Sequence, residues 1–188
     1  MPTIGQAVPD GTFQTFQRQE IQPVTLEGYR GQWLVLVFYP GDFTFICPTE
    51  LEELGSLYGE FQKLDAEVLG ISTDSVYVHK AWHDVSPSIK KLPFPLVADP
   101  GGRLAQQLGI YVPQEGVALR GSFIFDPDGA LTVYEVHHNS IGRNMNELLR
   151  KLQAAAFVRG NGGVEVCPVS WKPGERTLKP GLDLVGKL

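Results

Sequence analysis

The chain has 188 residues, a net charge of −5 and 43% hydrophobic residues, which suits one domain with a full apolar core and an appendage. Its longest apolar run, WLVLVFY at 33–39, is too short to cross a bilayer. No Lys/Arg block marks a nucleic-acid surface, so neither membrane nor nucleic acid is an expected partner.

The start, MPTIGQAVPDG, carries neither a basic nor an apolar segment, so no secretory signal is expected and the cytoplasm is the expected location. The chain's two cysteines then face a reducing compartment, where paired thiols tend to be catalytic or metal-binding rather than structural.

Residues 33–39 are short, β-branched and aromatic, and apolar on both faces, the pattern of a central buried strand. In TELEELGSLYGEFQKL, 49–64, Leu51, Leu54, Tyr58 and Phe61 recur at helical spacing, with acids in the first turns where the helix dipole favours them. AEVLGIST, 66–73, reads as a second buried strand, SVYVHKAWHD, 75–84, as a short helix, and FPLVAD, 94–99, as a third strand. RLAQQLG, 103–109, is a helical turn stopped by Gly109. GSFIFDPDGALTVYEVHH, 121–138, is a hairpin turning at Asp126-Pro127-Asp128-Gly129. Residues 145–157 are helical, with Met145, Leu148, Leu149 and Leu152 on one face. After Val158 glycine and proline take over. The expected division is a domain over 1–158 and an extended arm over 159–188. This order gives an α/β protein, a mixed sheet with helices on both faces, and within that class it fits a thioredoxin-like fold with an N-terminal extension and the C-terminal arm.

FYPGDFTFICPTEL, 38–51, places Cys47 between a strand end and a helix start. Pro48 lacks a backbone N–H and is tolerated only in a first helical turn, so Cys47 lies at or near a helix N-terminus. Unsatisfied N–H groups and the dipole stabilise an anion there, and thiols so placed titrate at about 7 or below against about 8.5 for a free cysteine. A lone cysteine is more often a small buried hydrophobe, but binding loops of α/β sheets lie at the carboxyl ends of strands. Thr44, three residues earlier, can present a hydroxyl to the same point or cap the helix. Pro40 can shield a thiolate from water without competing for its hydrogen bonds, or simply end the strand. Cys167 lies on the Gly/Pro-rich arm and can move to meet another thiol. Reach alone leaves open whether that thiol is in the same chain.

Pro40-x-x-x-Thr44-x-x-Cys47 resembles the active-site signature of the peroxiredoxins. Glu165-Val166-Cys167-Pro168 with Trp171-Lys172 resembles their typical two-cysteine class, in particular the bacterial alkyl hydroperoxide reductase peroxidase subunits. STDS (72–75), HKAWH (79–83), LRGSFIFDPDG (119–129) and IGRNMNELLRKLQA (141–154) extend the match over essentially the whole chain. The resemblance implies a peroxidase in which Cys47 attacks the terminal oxygen of a hydroperoxide and becomes a sulfenic acid. It implies that Arg120 supports the thiolate and polarises the peroxide, that Thr44 hydrogen-bonds the peroxide oxygens, and that Glu50 orients the arginine. Without it, Arg120 reads as a charge near a strand end.

The resemblance further implies that Cys167 resolves the sulfenic acid as a disulfide with the partner subunit. The dimer is expected to pair edge strands 131–137 and to join into a decameric ring, with the Tyr77–Val78 loop near the second interface. The expected electron donor is a flavoprotein disulfide reductase or a thioredoxin-like protein, and no cofactor is implied because sulfur carries the redox change. Easily overoxidised relatives carry a Gly-Gly-Leu-Gly insertion before the third strand and a Tyr-Phe helix at the C-terminus. Here the corresponding stretches are SPSIKKLPF and DLVGKL, so resistance to overoxidation is expected.

Two rival readings are a thiol–disulfide exchange module, opposed by the missing C-x-x-C, and a ring-shaped holdase. His79 and His83 share a helix face without a third ligand and read as helix-surface or interface residues. His137-His138 follows a strand with no evident partner. The DPDG turn is explained by turn chemistry rather than calcium.

Overall fold

The computed structural model describes residues 2–187. Among the described residues seven strands form one sheet, in the order β2 (Glu20–Thr25), β1 (Thr12–Gln17), β5 (Leu96–Ala98), β4 (Ala66–Ser72), β3 (Trp33–Phe38), β8 (Arg120–Phe125) and β9 (Leu131–His137). At its centre β3 (Trp33–Phe38) runs parallel to β4 (Ala66–Ser72), and β4 runs parallel to β5 (Leu96–Ala98). All six residues of β3 are buried, so both faces of the sheet are covered, as an apolar run without alternation requires. Leu34, Leu36 and Phe38 share one core cluster with Leu69, Ile71 and Val97. On the other side of β3, β8 (Arg120–Phe125) is antiparallel and β9 (Leu131–His137) closes that edge. The β8–β9 turn is held by Asp126, whose Oδ1 accepts the N–H groups of Asp128 and Ala130, and Gly129 takes φ +81°.

Helix α1 (Cys47–Gln62) follows β3. Leu51, Leu54 and Phe61 are fully buried along it, each stabilising the packed state by about 1.5–3 kcal/mol. Helix α2 (Val76–Val85) follows β4, and the short α3 (Arg103–Gln107) ends at Gly109, whose φ is +66°. This sheet order with these crossovers is a thioredoxin-like fold.

The N-terminal extension is a hairpin of β1 (Thr12–Gln17) and β2 (Glu20–Thr25), and β1 pairs antiparallel with β5. Sequence reading did not resolve it. β2 is exposed on both faces and holds Pro23, so it shows no alternation, and a proline is tolerated because the strand is an edge. A second small hairpin, β6 (Tyr111–Val112) with β7 (Val117–Ala118), is too short to leave a pattern.

Helix α4 (Met145–Gly160) runs three residues beyond the expected end. The chain divides into two compact units, one ending at Met145 and the other beginning at Asn146. Within the second, the segment after α4 folds back on itself through paired hydrogen bonds between Val166 and Leu178 and ends in a short 3-10 turn, Leu182–Leu184. Among the described residues no helix is long and apolar enough to cross a membrane.

Candidate active site

Cys47 is the first residue of α1 and has no exposed surface. Pro48 occupies the first turn, as its missing N–H requires, and the N-cap position is Ile46, which offers no side-chain bond. Thr44 therefore does not cap the helix. Its hydroxyl donates to the Gly41 carbonyl at 2.8 Å, on an exposed turn. Pro40 is half-buried just beyond β3.

The Arg120 guanidinium arrives from the start of β8, its Nη1 donating to Cys47 Sγ at 3.4 Å and to Glu50 Oε2 at 2.8 Å. Its Nε donates to the Asn139 carbonyl at 3.0 Å. Arg120 is 3% exposed, so it is a buried cation rather than a solvated surface charge. Glu50, one turn into α1, accepts three further bonds from Arg143: from its backbone N–H at 2.7 Å, Nε at 3.1 Å and Nη2 at 2.9 Å. Arg143 in turn donates to the Gly121 carbonyl at 2.9 Å and the Ser122 hydroxyl at 3.1 Å.

An isolated buried carboxylate would be costly, and these four donors satisfy it. Burial alone would raise the Glu50 carboxyl; the bonds and charge of Arg143, with Arg120 behind it, outweigh burial and hold it below its ordinary value. The cluster is a buried frame that fixes the Arg120 guanidinium beside the sulfur, with Arg143 anchoring Glu50.

Four of the expected site residues thus occupy one stretch of structure, with Pro40 and Thr44 on the loop leading into α1 and Cys47 and Glu50 in its first turn, and Arg120 joins them from β8. Arg143 was missed. It was visible only as a residue of the quoted IGRN stretch, and its partners lie far away in sequence.

A second polar group was also missed. His79 is fully buried, not at the helix surface, and its Nδ1 lies 2.7 Å from Asp42 Oδ2. The correction follows from packing, since Val76, His79 and Trp82 recur every three residues and form the buried face of α2. Asp42 also accepts the Tyr39 hydroxyl at 2.8 Å, and its backbone N–H donates to Asp74. Burial raises the Asp42 carboxyl, against the opposing pull of His79. Burial, together with the nearby Asp42, pushes the Tyr39 phenol well above its usual range. These bonds pin the loop before Cys47. Its Phe43 sits at φ +55° with its ring 6.0 Å from Trp82.

His83 bridges toward Gln19 and Asp84 at the surface. His138 accepts the Ser140 N–H, and His137 lies 3.9 Å from Glu135. Among the described residues no group of three or more His, Cys, Asp or Glu is arranged to hold a metal ion.

Cys167 lies in the second unit and is half-buried, its Sγ 3.8 Å from the Ala154 carbonyl on α4. Burial raises its thiol above the ordinary value, and the charge of Arg150 opposes this.

A thiol at a helix start, faced by a fixed cation inside a thioredoxin-like domain, defines a cysteine-based redox protein. The family model described as the AhpC/TSA family matches residues 4–134, and the chain belongs to that family. It is 45% identical over the full length of both chains to alkyl hydroperoxide reductase C of Pseudomonas aeruginosa. It is 46% identical to the selenocysteine-containing peroxiredoxin PrxU of Peptoclostridium acidaminophilum, covering all of this chain and 94% of the other. Among solved structures, that of Enterococcus faecalis AhpC superimposes with a TM-score of 0.86 at 42% identity, covering 89% of this chain and all of the other. The reduced 2-Cys peroxiredoxin of Plasmodium vivax superimposes with a TM-score of 0.91 at 29% identity, covering 97% and 96%.

Proposed function

We propose that this chain is a thiol-dependent peroxidase that reduces hydrogen peroxide and organic hydroperoxides, with Cys47 as the attacking nucleophile. The observation that carries this reading is the Arg120 Nη1 at 3.4 Å from a buried sulfur, with Glu50 and Arg143 holding it in place. The Cys47 thiolate attacks the terminal oxygen, the S–O bond forms and the O–O bond breaks. The departing alkoxide or hydroxide takes up a proton, and the sulfur loses two electrons to become a sulfenic acid. Charge grows on the leaving oxygen in that step, and a fixed guanidinium aimed there lowers the barrier. Thr44 supplies a hydroxyl to the peroxide oxygens, Pro40 keeps water from the sulfur, and Glu50 sets the Arg120 plane, with Arg143 in the same positioning role.

In the second step the Cys167 sulfur attacks the Cys47 sulfenic sulfur. An S–S bond forms, the S–O bond breaks and water leaves. The disulfide joins two subunits, with residues 159–188 acting as the mobile arm, and it is returned to two thiols by a dithiol donor of the flavoprotein reductase or thioredoxin-like kind. β9 is the sheet's edge with Tyr134 and Val136 exposed, and it supports a dimer formed by edge pairing. Dimers close into a decameric ring, and the enzyme works in the cytoplasm. With no insertion before β5 to brace the first turn of α1, disulfide formation outruns overoxidation. Peroxide consumption with a dithiol donor tests the core of this reading. Cys47→Ser is expected to abolish turnover while circular dichroism stays native, and retention of most activity would overturn it.

A further inference from the structure

The second unit contains a contact that the reaction sequence leaves unexplained. Arg150, near the start of α4, is clamped by Glu147 through Nε at 2.6 Å and Nη2 at 2.8 Å, and its remaining Nη1 donates to the Trp171 carbonyl at 3.0 Å. Trp171 ends the turn that follows Cys167, its N–H donating to the Pro168 carbonyl, and its ring lies 5.0 Å from Phe157. One helical turn beyond Arg150 is Ala154, whose carbonyl the Cys167 Sγ meets at 3.8 Å. One face of α4 therefore carries, in order, a cation bound to the turn, the thiol's acceptor and the tryptophan's ring partner.

We propose that Arg150 is a positioning residue for Cys167: the guanidinium that ties down the Trp171 carbonyl also favours the thiolate of the adjacent sulfur, and so paces disulfide formation. The inference rests on the reading of Cys167 as the resolving thiol. The attacking species is the thiolate. Burial works against it, and Arg150 is the charge that works for it. Several neighbouring charged groups of the unit have partners of their own. Glu147 neutralises Arg150 and lies 4.0 Å from Lys151, Glu165 holds the Thr177 hydroxyl and pairs with Lys179 at 3.5 Å, and Glu175 accepts the Lys172 N–H. The neutral, parked thiol and the ready thiolate are thus separated by one cation whose orientation Glu147 fixes.

The test uses the full chain in a Cys47→Ser background, where Cys167 is the single thiol, and follows its alkylation by iodoacetamide across pH. Arg150→Gln is expected to move the midpoint upward by about half to one pH unit and to slow alkylation at pH 7 roughly threefold to tenfold. Arg150→Lys restores the midpoint. Trp171→Phe, which loosens the turn without removing charge, leaves it in place. Glu147→Gln keeps the cation and removes its counter-charge, and is expected to move the midpoint downward; it also stands in if Arg150→Gln does not fold. With both cysteines present, Arg150→Gln is expected to slow disulfide formation after one equivalent of peroxide by the same factor, leaving the preceding oxidation of Cys47 unchanged. An unmoved midpoint in both Arg150→Gln and Glu147→Gln would overturn the role of Arg150 alone, provided that oxidised protein still holds the Cys47–Cys167 disulfide. A moved midpoint in protein that never forms that disulfide would overturn the resolving role and the pacing role together.

Discussion

Cys47 has no exposed surface and faces the Arg120 guanidinium, whose partner Glu50 is itself buried and held from its other side by the buried Arg143. Cys167 is half-buried, bonded weakly to one carbonyl, on a segment whose Val164 and Val169 stand in solvent. The first thiol has its charged partners fixed before any substrate arrives, which is what stabilising a developing charge requires. The second sits on a turn held by local bonds of its own segment, the Arg150 bond to the Trp171 carbonyl and the Trp171 ring on Phe157, rather than by a buried ion-pair frame. One chain thus surrounds its two thiols with different kinds of support, a buried ion-pair frame for one and a surface turn for the other.

The sharpest way to break the contrast is to remove the thiol proposed as the resolving one. Cys167→Ser is expected to consume one equivalent of peroxide per subunit and then stop as a sulfenic acid. Oxidised wild-type protein is expected to run as a disulfide-linked dimer on a non-reducing gel and the variant as a monomer; a monomer band alone from wild type would contradict the intersubunit pairing. Breaking the ion-pair frame comes next. Glu50→Gln strips the carboxylate from two buried guanidinium groups, and losing one partner of such a cluster costs about 3–5 kcal/mol, readable as a lower urea midpoint. Peroxide turnover in that variant is expected to fall roughly 10²-fold, as fixed donors lose their orientation.

Acid sharpens the same point with less damage. The Glu50 carboxyl is held below its ordinary value when folded, so its contribution is fully present above about pH 4.3 and is lost as pH falls through and below that value. Asp42, raised by burial, acts in the opposite sense in both proteins. Urea midpoints measured from pH 7 down to pH 3 are expected to drop more steeply for wild type than for Glu50→Gln; parallel curves would remove Glu50 from the account. The smallest effect belongs to the arm. Lys179→Ala removes a solvent-exposed partner of Glu165 at 3.5 Å and is expected to leave the unfolding midpoint unchanged, because exposed pairs contribute little.

How much of this was legible in the sequence depends on whether the determining contacts are local. β3, β4, α1 and the β8–β9 hairpin were readable because their burial follows a period of the chain itself. β2 was not, since an edge strand exposed on both faces has no apolar alternation to show. Cys47 at a helix start could be deduced from Pro48, a local constraint. Arg120 and Glu50 came only with the family resemblance, and Arg143 and the Asp42–His79 pair did not come at all. Their partners lie 93 and 37 residues away, and a histidine on a helix reads as polar surface until the carboxylate behind it is placed. Hydrophobic periodicity therefore gave the scaffold, while the ion-pair frame around the sulfur had to be seen in space.

The chain's three tryptophans are all nearly buried, and their placement has an optical consequence. Trp82 lies 6.0 Å from Phe43, in the loop before Cys47, and 6.1 Å from Tyr39 at its start. Trp171 closes the turn after Cys167, and Trp33 begins β3, at the end of the strand away from that loop. Each of the two thiols therefore has a native fluorophore beside its own loop or turn, over the Trp33 background. Emission from a Trp171→Phe protein would report on the loop ahead of Cys47, and emission from a Trp82→Phe protein on the turn after Cys167, so a change at either thiol could be timed separately without attaching a dye.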